Sequence, residues 1–282
     1  MPAYNEERGI RGVIERLSRL DVGAPLEILV VNDGSKDGTA LELERLVGEF
    51  PRLRVVRHAV NRGYGAALKT GFAAAAHEVV VITDADGTYP EDRIPDLLAA
   101  IDAGAEMAVG ARRGADVHIP TIRRPAKWAL RRLAEFLVGE PIPDLNSGLR
   151  AFRRELVLRY RSILPQGFSF TTTITLASLT NHHNVAWIDV SYAHREGRSK
   201  IKPIRDTLGF TALIVRTVLY FNPLKVFYPV SLALGLVLLL SLVHDVFIDQ
   251  NLGDKSVLLF VAVVQVLSVG LLADLIEKKS RP

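Results

Sequence analysis

A chain of 282 residues is long enough for one large domain, or for a domain with an appendage. It has no cysteine, which excludes a disulfide framework and any thiolate metal site. The formal charge is only +4 but unevenly placed: acids gather before residue 120, while Arg and Lys crowd residues 112–132 and 195–205. That asymmetry points to an anionic partner for the middle of the chain, phosphate or anionic lipid, and no nucleic-acid partner is expected.

In chain order, Pro2-Ala3-Tyr4-Asn5-Glu6-Glu7 is a polar loop with no cleavable signal peptide before it. It leads into an amphipathic helix over residues 7–20, with Ile10, Val13, Ile14 and Leu17 on one face. Leu26 to Val31 is a strand closed by Asn32-Asp33-Gly34-Ser35, and Ser35 or Asp37 can cap the helix that follows. Arg54-Val55-Val56 is a short strand. Asn61-Arg62-Gly63-Tyr64-Gly65 opens an alanine-rich helix running to about Ala76, and its glycines do not match the dinucleotide fingerprint.

The β-branched run Val79-Val80-Val81-Ile82-Thr83 has the composition of a buried strand and ends directly in Asp84-Ala85-Asp86. Gly87 turns the backbone, and Pro90-Glu91-Asp92 starts a helix to Ile101. An Asp-x-Asp triplet by itself is expected by chance. At the carboxyl end of a central strand, where open α/β sheets place their ligands, it reads as a cation site. Two close carboxylates repel unless a cation lies between them, and Mg²⁺ is commonly held by one or two carboxylates plus substrate phosphates. A strand at Met107 to Val109 completes an alternation of strands and helices that predicts a mostly parallel α/β sheet with helices on both faces.

Beyond Ala111 the pattern changes. Residues 112–132 are arginine-rich, irregular and then helical. Ile142 to Arg150 is a turn followed by another helix, Trp187 to Val190 a strand, and Tyr192 to Lys200 a basic loop. Pro203 to Phe221 forms a helix whose apolar residues are interrupted by Arg205 and Arg216, suited to a membrane surface. Val226–Val243 and Ser256–Ala273 each run 18 residues without a charge, enough at 1.5 Å per residue to span about 27 Å, close to the hydrocarbon thickness. The connection 244–255 holds three aspartates and one lysine, whereas Lys225, Lys278, Lys279 and Arg281 flank the outer ends. Positive flanks place both ends, and the large domain with them, in the cytoplasm.

Six segments in order, PAYNEE, VVNDGS, NRGYGAALKTG, DADGTYPED, NSGLRAFRRE and HREGRSK, resemble the motifs of family-2 glycosyltransferases. More narrowly they resemble the polyprenyl-phosphate glycosyltransferases, the dolichol-phosphate mannose and glucose synthases and their bacterial relatives. The resemblance covers roughly residues 2–205. It implies a GT-A-type nucleotide-diphospho-sugar transferase domain over residues 1–202, to which the residue pattern described above adds an interfacial helix over 203–222 and a transmembrane hairpin over 223–282. It also implies inverting transfer of a hexose from a nucleotide-diphosphate sugar (GDP-mannose or UDP-glucose type) to a membrane polyprenyl phosphate, with Mg²⁺ or Mn²⁺.

Carried onto this chain, the resemblance gives Pro2, Tyr4, Glu6 and Asp33 to the nucleotide, Asp84 to ribose and metal, and Asp86 to the metal. Thr88 stands where many relatives carry a glutamine. The Asp144…Ser147-Gly148…Arg150 turn and Arg195, Ser199 and Lys200 fall to the part of the site that faces the acceptor phosphate, with Arg123, Arg124 and Arg131 as further cations; Arg195 and Lys200 join Asp86 as the catalytic set. In the same family the PAYNEE loop follows a central apolar strand, so a slot between the Leu26 and Val79 strands is expected to take roughly five to ten apolar residues from upstream. Two rival functions are transfer to a sugar hydroxyl and a non-catalytic membrane scaffold. The processive synthases of the first kind use a Gln-x-x-Arg-Trp motif that is absent here, and the retained Asp84 and Asp86 argue against the second. The oligomeric state stays open, a homo-oligomer included.

Overall fold

The computed structural model describes residues 1–112, 124–167, 169–192 and 203–280. Its first half alternates β1 (Pro2–Ala3), α1 (Ile10–Arg19), β2 (Ile28–Asn32), α2 (Thr39–Glu49), β3 (Leu53–Arg57), α3 (Tyr64–Ala74), β4 (Val79–Ile82), α4 (Ile94–Asp102) and β5 (Met107–Arg112). There follow α5 (Arg124–Val138), β6 (Arg150–Arg153), α6 (Arg154–Arg159), α7 (Phe170–Thr180), β7 (Val185–Val190), α8 (Pro203–Phe221), α9 (Leu224–His244) and α10 (Asp254–Ser280). The strands form two groups, β1-β2-β3 and β4-β6-β5-β7, parallel throughout except for β6, which runs antiparallel between β4 and β5.

Helices cover both faces, as a sheet of β-branched strands requires. Ile10, Val13 and Ile14 of α1 pack with Leu97 and Ile101 of α4 on one side. Phe72 of α3, Leu156 of α6 and Phe170 of α7 pack on the other, Phe72 edge-on to Phe152 of β6 at 5.5 Å. A third cluster of Leu137, Leu176, Ile214 and Val218 joins α5, α7 and α8. Lys225, at the start of α9, donates to the carbonyl of Val138 at 3.0 Å and ties the C-terminal pair of helices to the end of α5.

That pair is antiparallel and almost wholly exposed, with Leu240, Phe247, Leu258 and Ile276 each more than half open. The two spans, Leu224–Ile248 and Asp254–Lys279, are 25 and 26 residues and long and apolar enough to cross a bilayer. An apolar surface of this extent needs an apolar solvent, so the C-terminal hairpin makes this a membrane protein. Asp245 closes the connection by accepting the Gly253 N–H at 2.8 Å.

The segment after the 142–149 turn differs from the sequence expectation. The residues after the 142–149 turn open as the strand Arg150-Ala151-Phe152-Arg153 before turning helical, because Ala151 and Phe152 fill the space between β4 and β5. The threonine-rich stretch 170–180, rich in β-branched side chains, is a helix buried along most of its length. The first turn after Pro90 is 3₁₀ (Glu91–Arg93), and α4 proper begins at Ile94.

Candidate active site

The site is assembled where β1, β2 and β4 end together. The Tyr4–Glu6 loop leaves β1 with Asn5 in the left-handed region (φ 57°) and is stitched to the loop after β2. Asn5 Oδ1 accepts the Lys36 N–H at 2.8 Å, and the Glu6 N–H donates to Thr39 Oγ1 at 2.9 Å. Asp37 caps α2 locally, accepting both the N–H and the hydroxyl of Thr39. These bonds fix where Tyr4 and Glu6 emerge.

Asp33 is buried, and its carboxylate is surrounded by donors from the segment that leads into α3. Oδ1 meets His58 Nδ1 at 2.7 Å and accepts the Arg62 N–H at 2.9 Å; Oδ2 accepts the Gly63 N–H at 2.8 Å. His58 is held in turn by Thr70 Oγ1 at 2.9 Å. The structure therefore places Asp33 as the anchor of the 58–63 segment. Gly63 sits at φ 100° with the Gln166 carbonyl 2.7 Å from where a Cβ would stand, so neither its backbone nor its surroundings admit a side chain.

Asp84 follows directly on β4. Tyr64, the first residue of α3, donates its hydroxyl to Asp84 Oδ1 at 3.2 Å. Burial, and then the charge of Asp84, raise the Tyr64 pKa well above the usual phenol value, so the ring stays a hydrogen-bond donor. Asp86 Oδ1 accepts both the N–H (3.1 Å) and the hydroxyl (2.7 Å) of Thr88. Thr88, at the position of the family's glutamine, thus orients the second aspartate. Among the described residues no group of three His, Asp or Glu side chains is placed to hold a metal by itself. Two carboxylates at a strand end, hard oxygen donors both, do fit a divalent cation that draws its other ligands from substrate phosphates and water.

The 144–148 turn lies against Asp84. A Cβ on Gly148 would stand 2.8 Å from Asp84 Oδ2, and the Gly148 N–H donates to Tyr89 Oη at 2.6 Å. The turn is held from both ends. Asp144 takes the Arg112 guanidinium in a fork at 2.7 and 2.9 Å, and that guanidinium lies over the Tyr192 ring at 5.2 Å. Burial alone would lower the Arg112 pKa and raise that of Asp144. Their mutual hydrogen bonds and charge outweigh it in both, so the pair is ionised. At the other end Arg150 is completely buried, donating to the carbonyls of Ser147 (2.7 Å), Leu145 (3.1 Å) and Thr171 (3.2 Å). Burial pulls its pKa down to about 10, still far enough above neutrality to keep the charge.

Of the residues expected to meet the acceptor, Ser147 is buried beneath the turn, and Arg131 lies on α5, about half exposed and paired with Glu135 at 3.2 Å. Arg124 begins α5. Arg123, Arg195, Ser199 and Lys200 lie outside the described residues. Tyr64, Tyr89 and Arg112 are not singled out by the sequence as site residues. Tyr64 and Tyr89 stand inside the NRGYG and DGTYPED motifs, but nothing in their spacing shows that their hydroxyls turn toward Asp84 and Gly148.

Residues 1–161 match the model of glycosyl transferase family 2, and residues 222–278 match the GtrB C-terminal hairpin. The chain belongs to glycosyl transferase family 2. The transferase is 34% identical over 221 residues to a dolichyl-phosphate hexose transferase of Haloferax volcanii, covering 78% of this chain and 92% of that protein. It is 32% identical to a polyprenol monophosphomannose synthase of Mycolicibacterium smegmatis, over 71% of this chain and 79% of that one. Among solved structures it resembles the glucosyl-3-phosphoglycerate synthase of Mycobacterium tuberculosis in complex with Mn²⁺, UDP and phosphoglyceric acid (TM-score 0.59, 25% identity), over 77% of this chain and 76% of the other. The likeness bears out the GT-A-type fold, with its mostly parallel sheet and the two-helix hairpin attached.

Proposed function

We propose that the transferase moves a hexose from a nucleoside-diphosphate sugar, of the GDP-mannose or UDP-glucose type, to a membrane polyprenyl phosphate, with inversion at the anomeric carbon. The observation that carries this reading is the Asp84/Asp86 pair, oriented by Tyr64 and Thr88 at the end of β4 in a chain that also carries an apolar hairpin. The relatives named above act on lipid-phosphate acceptors by their names, which supports the same acceptor here.

In this reading Pro2, Tyr4 and Glu6 hold the nucleotide, and Asp33 fixes the loop that brings Tyr64 to Asp84. A bound Mg²⁺ or Mn²⁺ supplies neutralisation of the charge that develops on the departing nucleoside diphosphate. The acceptor needs no protein base. A phosphate monoester has a second pKa near 6, so at neutral pH it is largely a dianion able to attack. The protein's task is to bring two anions together, which falls to Arg195, Ser199 and Lys200, with Arg123, Arg124 and Arg131 as further cations. Asp144, Arg112 and Arg150 keep the 144–148 turn against Asp84. The hairpin enters and leaves on the cytoplasmic side, which puts the catalytic domain there too.

The test is to incubate membranes containing the protein with a panel of labelled nucleotide-sugars and polyprenyl phosphate. Label from one donor is expected in the lipid phase as a polyprenyl-phosphate sugar, and only with divalent metal. Label in polysaccharide, or none in lipid with any donor, would refute the acceptor.

A further inference from the structure

A polar recess of about 600 Å³ opens between α3 and the segment that ends α6 and leads toward α7. Ala66 and Lys69 of α3, with Arg62 just ahead of the helix, form one wall; spacings of four and three put them on one helix face. Arg159, Arg161 and Ser162 form the other wall. Neither Asp84 nor Asp86 lines it. The two walls are bonded together, so their spacing is set. The Ala66 N–H donates to the Gln166 carbonyl at 2.9 Å, and the Lys69 ammonium donates to the Leu164 carbonyl.

Four side chains lining the recess are cationic and none is acidic. Arg159 reaches Glu155 at 3.4 Å, but both are exposed and such a pair is worth little. Among the described residues no carboxylate pairs with Arg62, Lys69 or Arg161. Lys69 is half-buried, and burial, then the charge of Arg161, lowers its pKa. Cations thus converge on a concavity whose walls supply no counter-charge, and an anion held there would relieve their repulsion. Guanidinium forks match phosphate oxygens, and Ser162 adds a hydroxyl donor. Among the described residues no aromatic ring lines the recess, so a nucleobase would have nothing to stack on.

Arg159 and Arg161 flank Tyr160, whose buried ring meets Phe221 edge-on at 5.7 Å. Phe221 is the last residue of α8, just before the hairpin begins at Leu224. The basic wall is therefore joined to the root of the membrane anchor, where basic pockets take lipid headgroups. We propose that the recess binds a phosphate anion, carried by the headgroup of an anionic lipid or by a soluble phosphate ester. It is a site additional to those of the donor and acceptor in the transfer proposed above. The recess is far larger than one phosphate group, which leaves room for the glycerol or sugar attached to it.

The full chain is placed in phosphatidylcholine nanodiscs and challenged at fixed ionic strength in two arms: phosphatidylglycerol added to the disc, or glycerol 3-phosphate added to the buffer. Acetylation of the Lys69 amine, read by mass spectrometry, reports occupancy at the recess itself, and Tm reports binding without using Lys69. The unaltered chain is compared with Arg161→Gln and with Arg52→Gln, which removes one charge from an exposed position elsewhere. In the unaltered chain and Arg52→Gln, at least one probe is expected to protect Lys69 and raise Tm. Arg161→Gln should need about tenfold more probe or higher, for the loss of one charge-assisted contact. Protection by phosphatidylglycerol alone assigns the phosphate to a lipid headgroup, and protection by glycerol 3-phosphate alone to a soluble ester. No response to either probe, or the same response in Arg161→Gln as in the unaltered chain, overturns the site. Neither readout uses hexose transfer, so the outcome stands apart from the function proposed above.

Discussion

The close approach of Gly148 to Asp84 sets up the sharpest test of the site. A Cβ added at Gly148 would stand 2.8 Å from Asp84 Oδ2 and 3.1 Å from its Cγ and Oδ1, whereas ordinary contact begins near 3.4 Å. In Gly148→Ala, therefore, either the Asp84 carboxylate or the 144–148 turn must retreat by about 0.6 Å. Neither moves freely, since Tyr64 holds Asp84, and Tyr89, Arg112 and Arg150 hold the turn. Overpacking of this kind costs about 1–3 kcal/mol of stability. A displacement of about 1 Å in a catalytic group costs on the order of a hundredfold in rate, so turnover should fall roughly ten- to a hundredfold, or about 1.4–2.7 kcal/mol in the barrier. The assay is nucleoside-diphosphate release with saturating donor and lipid acceptor, beside a melting curve. Gly48→Ala in α2 is the control: nothing lies within 4 Å of its Cβ, and removing a helix glycine should stabilise by about 0.5–1 kcal/mol with unchanged turnover. Near-normal turnover in Gly148→Ala would show that the position of Asp84 does not control the rate.

Asp86→Asn should keep the fold and lose a hundredfold or more in turnover, because the cation loses a full ligand charge; near-normal activity with added metal would remove Asp86 from the metal site. Arg195→Ala should raise the KM for polyprenyl phosphate far more than that for nucleotide-sugar, and the opposite pattern would move the 195–200 loop to the donor. A reporter after Pro282 should prove cytoplasmic and a tag near Asn251 accessible from outside; a protected tag at Asn251 would indicate helices lying in the interface instead.

What the amino-acid order determined by itself was whatever depends on local pattern. Five β-branched residues ending in Asp-Ala-Asp read as a strand delivering two acids to its carboxyl end. Two uncharged runs of 18 residues could only be satisfied by an apolar solvent. Six motifs in order carried the family. Tertiary structure decided what depends on neighbours distant in sequence. The short strand Arg150–Arg153 exists because β4 and β5 leave a place between them, and the Thr171–Thr175 segment is helical because its burial outweighs its weak propensity. The Asp144-to-Arg150 turn read as a polar, acceptor-facing motif, yet Arg150 turns inward to three backbone carbonyls and Ser147 is sealed beneath the loop. Asp33 read as a nucleotide contact, yet its oxygens are met by His58, Arg62 and Gly63, 25 to 30 residues away. A charged or polar side chain in a motif announces that it will be paired. Whether the partner is a ligand or the protein's own backbone depends on which way the folded chain turns it, and no local pattern encodes that direction.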